Sequence, residues 1–157
     1  MPPPGPLKEF LSLSTMALAT AGPSGDPHAA PVFFAANLED PQPEKLRRGD
    51  LRQFFFSDPL SQHAQDVIHN PSAAAVIYPE VNGWQEIRGM QLRGHVHRLS
   101  ADVEWQAGWI CYQGKFPFVS GLQSIIARND FYVFLPHWIR LVDNRLGFGY
   151  KQEWKLE

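Results

Sequence analysis

The residues best suited to bind a charged ligand lie where an aromatic strand gives way to a helix, at positions 56–63 with the sequence FSDPLSQH. This stretch carries four side chains that can donate hydrogen bonds: Ser57, Ser61, Gln62 and His63. A helix N-terminus offers free backbone N–H groups and the positive end of the helix dipole, so it binds anions such as phosphate. The same spacing also fits plain helix capping, in which Asp58 satisfies those N–H groups.

Two further motifs sit on one predicted strand. Residues 87–94, with the sequence IRGMQLRG, carry glycines that either admit a flat ring against the backbone or curve a barrel. His95 and His97 follow on one face of the strand, and alternating histidines can bind a metal. No acidic residue or cysteine is placed to complete such a site, so we expect no metal centre.

An aromatic cluster lies in the second half of the chain, at Trp105, Trp109, Tyr112, Phe116 and Phe118. Because Trp105 and Trp109 are four residues apart, they share one helix face. The cluster fits either a core or a subunit interface, and we favour the interface. The lone Cys111 has no evident base beside it, so no catalytic thiolate is expected.

Composition excludes several classes of protein. The 157 residues contain 14 Lys and Arg against 16 Asp and Glu, a net charge of −2 that disfavours nucleic-acid binding. No run of 18 apolar residues occurs, so no membrane span is expected. A lone cysteine and a start without a signal peptide indicate a cytoplasmic protein.

The secondary-structure elements that position these residues are predicted to be mainly β-strands. Turn-rich composition, with 14 prolines and 12 glycines, suits six to eight short antiparallel strands closed into a small barrel with peripheral short helices. Asp58 and Pro59 predict a helix start, Asn82-Gly83 predicts a type I′ hairpin, and Pro136 predicts a break between two strands. Residues 1–6 are expected to be a flexible tail and residues 7–157 a single domain.

The order of the motifs carries a family resemblance. The matching segments are APVF at 30–33, FS at 56–57 with SQHAQ at 61–65, the strand at 87–94, KFP at 115–117, and DNRLGFG at 143–149 with Lys151 and Trp154. Together they resemble the pyridoxamine phosphate oxidase-like family of FMN-binding split β-barrels, in a small branch of that family.

The resemblance implies a six-stranded antiparallel split β-barrel of Greek-key type and a homodimer with FMN at the subunit interface. The flavin ring would lie along the second strand, and the phosphate would sit after Phe56, where the third strand meets its helix. The residues implied for the ring are Ala30, Pro31, Val32 and Phe33, and those for the phosphate are Ser57, Ser61, Gln62 and His63. Aromatics of the partner chain, such as Tyr112, Phe116 or Trp138, would cover the ring, and Lys115 lies in the matching KFP motif.

One departure concerns charge at the phosphate. The oxidase itself usually carries Arg-Lys where this chain has Gln62-His63. Charge-assisted hydrogen bonds are about twice as strong as neutral ones, so FMN affinity depends on a replacement cation. The candidates are a protonated His63 or one of four arginines: Arg47, Arg48, Arg52 and Arg88.

These residues predict an FMN-binding flavoprotein that oxidises or reduces an unidentified small molecule. No residue is marked as an acid or base for a particular substrate, and the residues that would read pyridoxamine phosphate are not evident. Two alternatives stay open. One is a non-catalytic carrier of heme, deazaflavin or FMN on the same barrel, and the other is a dimeric interaction protein whose groove holds no cofactor.

Overall fold

The computed structural model describes residues 5–100 and 102–157, and within them it forms one sheet flanked by short helices. The strands are β1 Thr15–Ala21, β2 Pro27–Phe33, β3 Ala35–Leu38, β4 Leu51–Ser57, β5 Ser72–Ile77, β6 Arg88–Arg98, β7 Asp130–Asp143 and β8 Lys151–Lys155. The helices are α1 Pro6–Leu11, α2 Gln62–His69, α3 Val103–Lys115 and α4 Gln123–Ala127. Of the predicted tail, residues 1–4 lie outside the described residues and Pro6 is the first residue of α1. No helix formed by the described residues is long and apolar enough to cross a membrane.

The sheet is antiparallel throughout and runs in the order β2-β1-β5-β6-β7-β4-β3, with β8 added to β7. Its two terminal strands, β2 and β3, are consecutive in the chain and separated only by Phe34. One bent segment therefore joins the two ends of the curled sheet. The mainly β split-barrel prediction is confirmed, with eight strands in place of six, because the bend divides one strand in two and β8 is an addition.

Alternation along the strands fills the inside of the sheet. On β1, Met16, Leu18 and Thr20 are buried while the alanines between them face outward. A second apolar cluster lies between the sheet and α3, where Phe54, Tyr112 and other aromatics pack together. This second cluster fixes α3 against β4, next to the segment predicted to bind phosphate.

The hairpin predicted around Asn82-Gly83 forms, since β5 and β6 follow each other in the chain and pair antiparallel, but the predicted type I′ turn is wrong. A type I′ turn needs positive φ at both central residues. Gly83 has φ of −148°, and Asn82 is excluded too, because only glycines have positive φ among the described residues. A longer connection replaces it, containing a 3₁₀ turn over Trp84–Glu86. The Glu86 carboxylate accepts from the Asn82 N–H at 3.1 Å, so side-chain contacts hold this loop.

Pro136 does not break the strand as predicted, since β7 runs unbroken from Asp130 to Asp143. One edge of β7 pairs with β4 up to Phe134 and with β8 from Trp138 onward, so the missing N–H of Pro136 falls between two ladders. The pairing with β6 shifts register between Arg93 and Gly94, which confirms the irregularity predicted from the glycine.

Candidate functional site

A cleft of about 570 Å³ lies between the end of β2, the end of β4 and the middle of α3. The residues that line it are Thr15, Pro31, Val32, Phe33, Phe56, Ser57, Asp58, His63, Tyr112 and Asn129. Seven of these were proposed from the sequence as cofactor-binding residues: Pro31, Val32, Phe33, Phe56, Ser57, His63 and Tyr112. Tyr112 was expected to come from the partner chain, whereas here it lines the cleft of its own chain. The fold thus brings the second strand, the strand–helix junction and the aromatic helix to one place.

The polar corner of the cleft is built on the start of α2, which begins later than predicted. Ser61, not Asp58, is the N-cap residue, and its hydroxyl oxygen accepts from the Ala64 N–H at 3.3 Å. That hydroxyl also donates to the Asp58 backbone carbonyl at 2.7 Å. Asp58 caps the preceding turn instead, since its carboxylate accepts from the Leu60 N–H at 2.8 Å.

His63 occupies this corner. Its Nε2 is hydrogen-bonded to the Ser57 hydroxyl and lies 3.4 Å from the Ser61 hydroxyl oxygen. Burial lowers the pKa of His63, the nearby His28 lowers it further, and the Asp66 carboxylate opposes both. The His28 ring lies parallel to that of His63, with 6.4 Å between the ring centroids.

Asp66 anchors the helix beneath the corner. It is buried, and its carboxylate accepts from the Gln62 amide and from the Thr20 hydroxyl, each at 2.8 Å. These hydrogen bonds hold the pKa of Asp66 below its usual value, although burial acts against them. The side chain of Gln62 is therefore directed at Asp66 and not into the cleft.

A serine beside a histidine can also serve nucleophilic catalysis, and the geometry disfavours that chemistry here. A catalytic triad needs a carboxylate hydrogen-bonded to the far nitrogen of the histidine. Both oxygens of Asp66 are used by Gln62 and Thr20, and within residues 5–100 and 102–157 no carboxylate hydrogen bond to His63 is formed.

The other half of the cleft is aromatic. The Phe33 side chain is 52% exposed and stacks on Phe116 with 5.6 Å between ring centroids, and Tyr112 meets Phe56 edge-on. The Phe34 N–H donates to Ser14 on the β1 side. Because N–H direction alternates along a strand, the Phe33 N–H points away from β1. A flat ring here would meet both an aromatic face and a free backbone donor.

Several residues proposed from the sequence lie elsewhere. The Arg88 guanidinium pairs with Glu9 at 2.8 Å, and the Lys115 ammonium donates to backbone carbonyls next to α1 and β2. Ala30 faces the opposite side of β2 from Pro31. Phe116 is buried behind Phe33, so it supports the cleft without lining it.

No lysine or arginine lines the cleft among the residues that the structure describes. Arg48 donates to the Leu156 carbonyl, and Arg52 lies 3.8 Å from the Glu39 carboxylate. Sequence reasoning missed His28 and Asp66. The hairpin register would have found His28, because it pairs with the inward-facing Thr20.

The aromatic side chains on and after α3 differ in how deeply they are buried. Tyr112 and Phe116 are buried in the core cluster under the helix, and Trp105 and Trp109 pack partly against it. Phe118 remains 59% exposed. Two of the five side chains favoured above for an interface are thus core, while Trp105, Trp109 and Phe118 keep exposed surface, so the interface stays a prediction.

A second cluster of imidazoles lies outside the cleft. His137 joins His95 with 5.5 Å between ring centroids, and His97 lies 6.4 Å from His95. Beside them the Arg93 guanidinium sits 4.2 Å from the centre of the Trp138 ring. No group of three or more histidine, cysteine or acidic side chains in the described residues could hold a metal ion. His137 was missed because the bulge in β7 brings it to this face.

The curled antiparallel sheet, closed by one bent strand and carrying a cleft beside that strand, defines a split β-barrel protein. A family model described as pyridoxamine 5′-phosphate oxidase matches residues 5–142, and the chain belongs to that family. A UPF0306 protein of Yersinia pestis is 29% identical over 154 residues, which cover 94% of this chain and 90% of the relative.

Solved structures share the fold. A heme binding protein from Mycobacterium smegmatis superposes with a TM-score of 0.69 at 19% identity over 92% of this chain, which spans about half (53%) of that protein. The heme storage protein HutZ from Vibrio cholerae gives 0.66 at 16% identity, over 83% of this chain and 87% of HutZ. An FAD-binding protein from Mesorhizobium loti gives 0.60 at 12% identity, over 84% of this chain and 88% of that protein.

Proposed function

We propose that this protein binds FMN in the cleft between β2, the β4–α2 junction and α3, and acts as an FMN-dependent oxidoreductase on a small molecule. The observation that carries the proposal is the convergence of seven sequence-proposed cofactor residues on that cleft. When bound, the flavin would supply the hydride or electron transfer, and the protein would supply position and electrostatics.

The residues present suit the two ends of the cofactor differently. Phe33 and Tyr112 would flank the ring, and the outward N–H of Phe33 would donate to a ring heteroatom. Ser57 and His63 would meet the phosphate. The ring half of the cleft fits a flavin well, whereas the phosphate corner lacks the usual cation and relies on His63.

The matched experiment compares two exposed phenylalanines. Phe33→Ala removes a cleft side chain that is 52% exposed, while Phe118→Ala removes one that is 59% exposed outside the cleft. We expect titration of the apoprotein to quench FMN fluorescence saturably at micromolar FMN. Phe33→Ala should weaken binding roughly tenfold, about 1.4 kcal/mol, and Phe118→Ala should not. Absence of quenching at high micromolar FMN would contradict the proposal.

The oxidoreductase part has its own test. Loaded protein is mixed with NADH or NADPH without oxygen, and the flavin absorbance is followed. Bleaching supports a reductase activity. Two negative results together would favour a flavin carrier. The flavin would stay oxidised with both donors, and flavin reduced chemically on the protein would not be reoxidised by the acceptors added.

We infer that a second copy of the chain covers the outward face of the sheet next to the cleft. This alanine face consists of Ala17, Ala19, Ala29, Ala74 and Val76. It lines a depression of about 400 Å³ together with Ala75, Gln91, Leu92, Arg93 and Trp138. Pro31, which pairs with Ala17, belongs to the cleft, so a partner seated here would also border the flavin. Symmetric dimers commonly bury such apolar patches.

Light scattering during size exclusion tests this dimer. Ala29→Glu places a charge on the alanine face and should give a monomer, because an unpaired charge is costly to bury. Ala127→Glu makes the same change on the exposed surface of α4 and should leave the dimer intact. A wild-type monomer at micromolar concentration would exclude the dimer.

Heme is the second candidate, favoured by the group formed by His137, His95 and Arg93. A neighbouring depression of about 440 Å³ has alanines on its floor and Arg93 and His137 on its rim. An imidazole could ligate iron, and a guanidinium could pair with a carboxylate of the porphyrin. A Soret band on adding hemin, lost in His137→Ala and kept in His63→Gln, would support heme at this place.

A further inference from the structure

This inference rests on the proposed function and concerns how the cleft meets the charge of the phosphate. Above pH 7 a phosphate monoester is essentially a dianion, because its second pKa is near 6. The described cleft residues include no lysine or arginine, and they include the Asp58 carboxylate. A dianion placed here would therefore face a like charge with no fixed positive charge beside it.

His63 is the basic group in reach of that position. Its Nε2 faces the hydroxyls of Ser57 and Ser61, and its ring packs near Phe55, with 6.5 Å between the centroids. Four charged or titratable groups surround it, one from each adjoining element: His28 on β2, Asp66 on α2, Asp58 after β4, and Asp130 on β7. Asp130 pairs with Ser57 in the sheet, and its carboxylate forms an ion pair with the Arg98 guanidinium at 3.7 Å.

The surroundings of His63 accommodate a neutral ring in the free protein. The Ser61 hydroxyl donates to the Asp58 carbonyl, so it is not the donor to Nε2. The Ser57 hydroxyl can donate to an unprotonated Nε2 or accept from Nε2–H, so the pair serves both the neutral and the charged ring. Burial favours the neutral form, because it lowers the pKa of His63.

We propose that His63 takes up one proton from solvent when the phosphate binds, and that this proton supplies the missing positive charge. The protonated Nε2 then donates to a phosphate oxygen, and the Ser57 hydroxyl, released from Nε2, turns to donate to the same group. The Asp66 carboxylate beneath the ring favours the charged form.

Calorimetry of the protein measures the proton directly. FMN and riboflavin are titrated at pH 7.5 in two phosphate-free buffers that differ in ionisation enthalpy. The FMN tail is already a dianion there, so any proton taken up goes to the protein. We expect uptake approaching one proton per FMN, none for riboflavin, and FMN affinity that falls up to tenfold per pH unit between pH 7 and 8.5. Riboflavin affinity should stay flat.

Matched variants locate the proton. His63→Gln keeps a hydrogen-bonding side chain of similar size and should abolish the uptake and the pH dependence while riboflavin still binds. His69→Gln, at the exposed end of α2, should change neither. As a variant-free measurement, the ring C–H resonances of the histidines are titrated by NMR with and without FMN, and one imidazole should charge at higher pH when FMN is bound.

The outcomes separate the two proposals. FMN that binds without proton uptake, with pH-independent affinity and no histidine resonance shifted in its titration, overturns the role of His63 and leaves the flavin proposal standing. Failure of both FMN and riboflavin to bind between pH 6 and 8.5 overturns the flavin proposal itself. Uptake that persists in His63→Gln assigns the proton to another group and also overturns this inference.

Discussion

The Ser57 hydroxyl, at the last position of β4, is hydrogen-bonded to Nε2 of His63 in the first turn of α2. Both side chains are buried and line a cleft that also contains three aromatic rings, those of Phe33, Phe56 and Tyr112. The junction between strand and helix thus concentrates the polar chemistry of the cleft in one pair. A ligand with a charged end and a flat apolar end matches this arrangement.

A charge placed at the helix start should repel the tail of the ligand. Asp is as good an N-cap as Ser, so Ser61→Asp should leave α2 intact. Its carboxylate would lie beside His63 and would pair with the protonated ring in place of the phosphate. It would also repel the phosphate directly. We expect the FMN dissociation constant to rise at least tenfold, which corresponds to about 1.4 kcal/mol.

The control for this change is Ser61→Asn, which also caps the helix but adds no charge. It should weaken FMN binding far less than Ser61→Asp, and circular dichroism should show both variants folded. Equal affinity in wild type and Ser61→Asp would mean that the phosphate does not lie at this corner.

His63 should make the fold sensitive to acid. Its folded-state pKa lies below 6.5, so the unfolded chain binds this proton more readily than the folded one. Stability from this group is therefore present above pH 6.5 and is lost as pH falls from 6.5 toward the folded pKa. The slope approaches about 1.4 kcal/mol per pH unit for one proton.

Urea unfolding between pH 5 and 7.5 checks this prediction by comparing wild type with His63→Gln. The difference in the pH dependence of their unfolding free energies isolates the one titration. His69→Gln, at an exposed position, should follow the wild-type curve. A His63→Gln curve parallel to wild type across this range would show that His63 charges equally in both states.

How far the sequence predicts this molecule depends on the range of the contacts involved. Alternation places Met16 and Leu18 inside and the alanines outside, because the period of a strand is local information. Asn82-Gly83 correctly indicates the hairpin between β5 and β6 but not its turn type, because contacts to distant residues, such as Asn144 to the Trp84 carbonyl, shape that loop.

The candidate site divides in the same way. Ser57 and His63 were placed together because six residues separate them in a recognisable motif. His28 and Asp66 were missed because only the hairpin register and the packing of α2 on β1 bring them to the corner. Arg88 was assigned to the phosphate because of its charge alone. Its actual partner, Glu9, is 79 residues away in the chain.

Lys115 should prove structural. Its ammonium donates to the carbonyls of Leu11, Leu13 and Phe34, at 3.1, 2.5 and 2.9 Å, and ties α1 and the start of β1 to the bend after β2. Burial lowers its pKa to about 8, so the ammonium still predominates at pH 7. Lys115→Met keeps the apolar stem and should lower the free energy of unfolding by about 1.5–3 kcal/mol.

The same variant should leave FMN affinity within about twofold, since the ammonium does not line the cleft. Urea denaturation and an FMN titration on one preparation separate the two effects. Unchanged stability together with a large loss of affinity would place Lys115 on the cofactor instead.

Two glycines of α3 should respond in opposite directions to the same substitution. A Cβ at Gly108 would lie 2.7 Å from Cδ1 of Phe54 and 2.9 Å from Cε2 of Phe131, both rings of the packed core cluster. Gly108→Ala must push α3 off the sheet and should cost about 1–3 kcal/mol. A Cβ at Gly114 meets nothing within 4 Å, so Gly114→Ala should stabilise by about 0.5–1 kcal/mol through helix propensity.

The displacement in Gly108→Ala should also reach the cleft. Tyr112 lies one turn further along α3 and forms part of the cleft wall, so a helix moved outward carries this ring away from Phe56. FMN affinity should fall in Gly108→Ala and stay at the wild-type level in Gly114→Ala, measured at a temperature where both variants are folded. Loss of stability at Gly108 with wild-type affinity would mean that the core absorbs the added methyl group and that Tyr112 keeps its place.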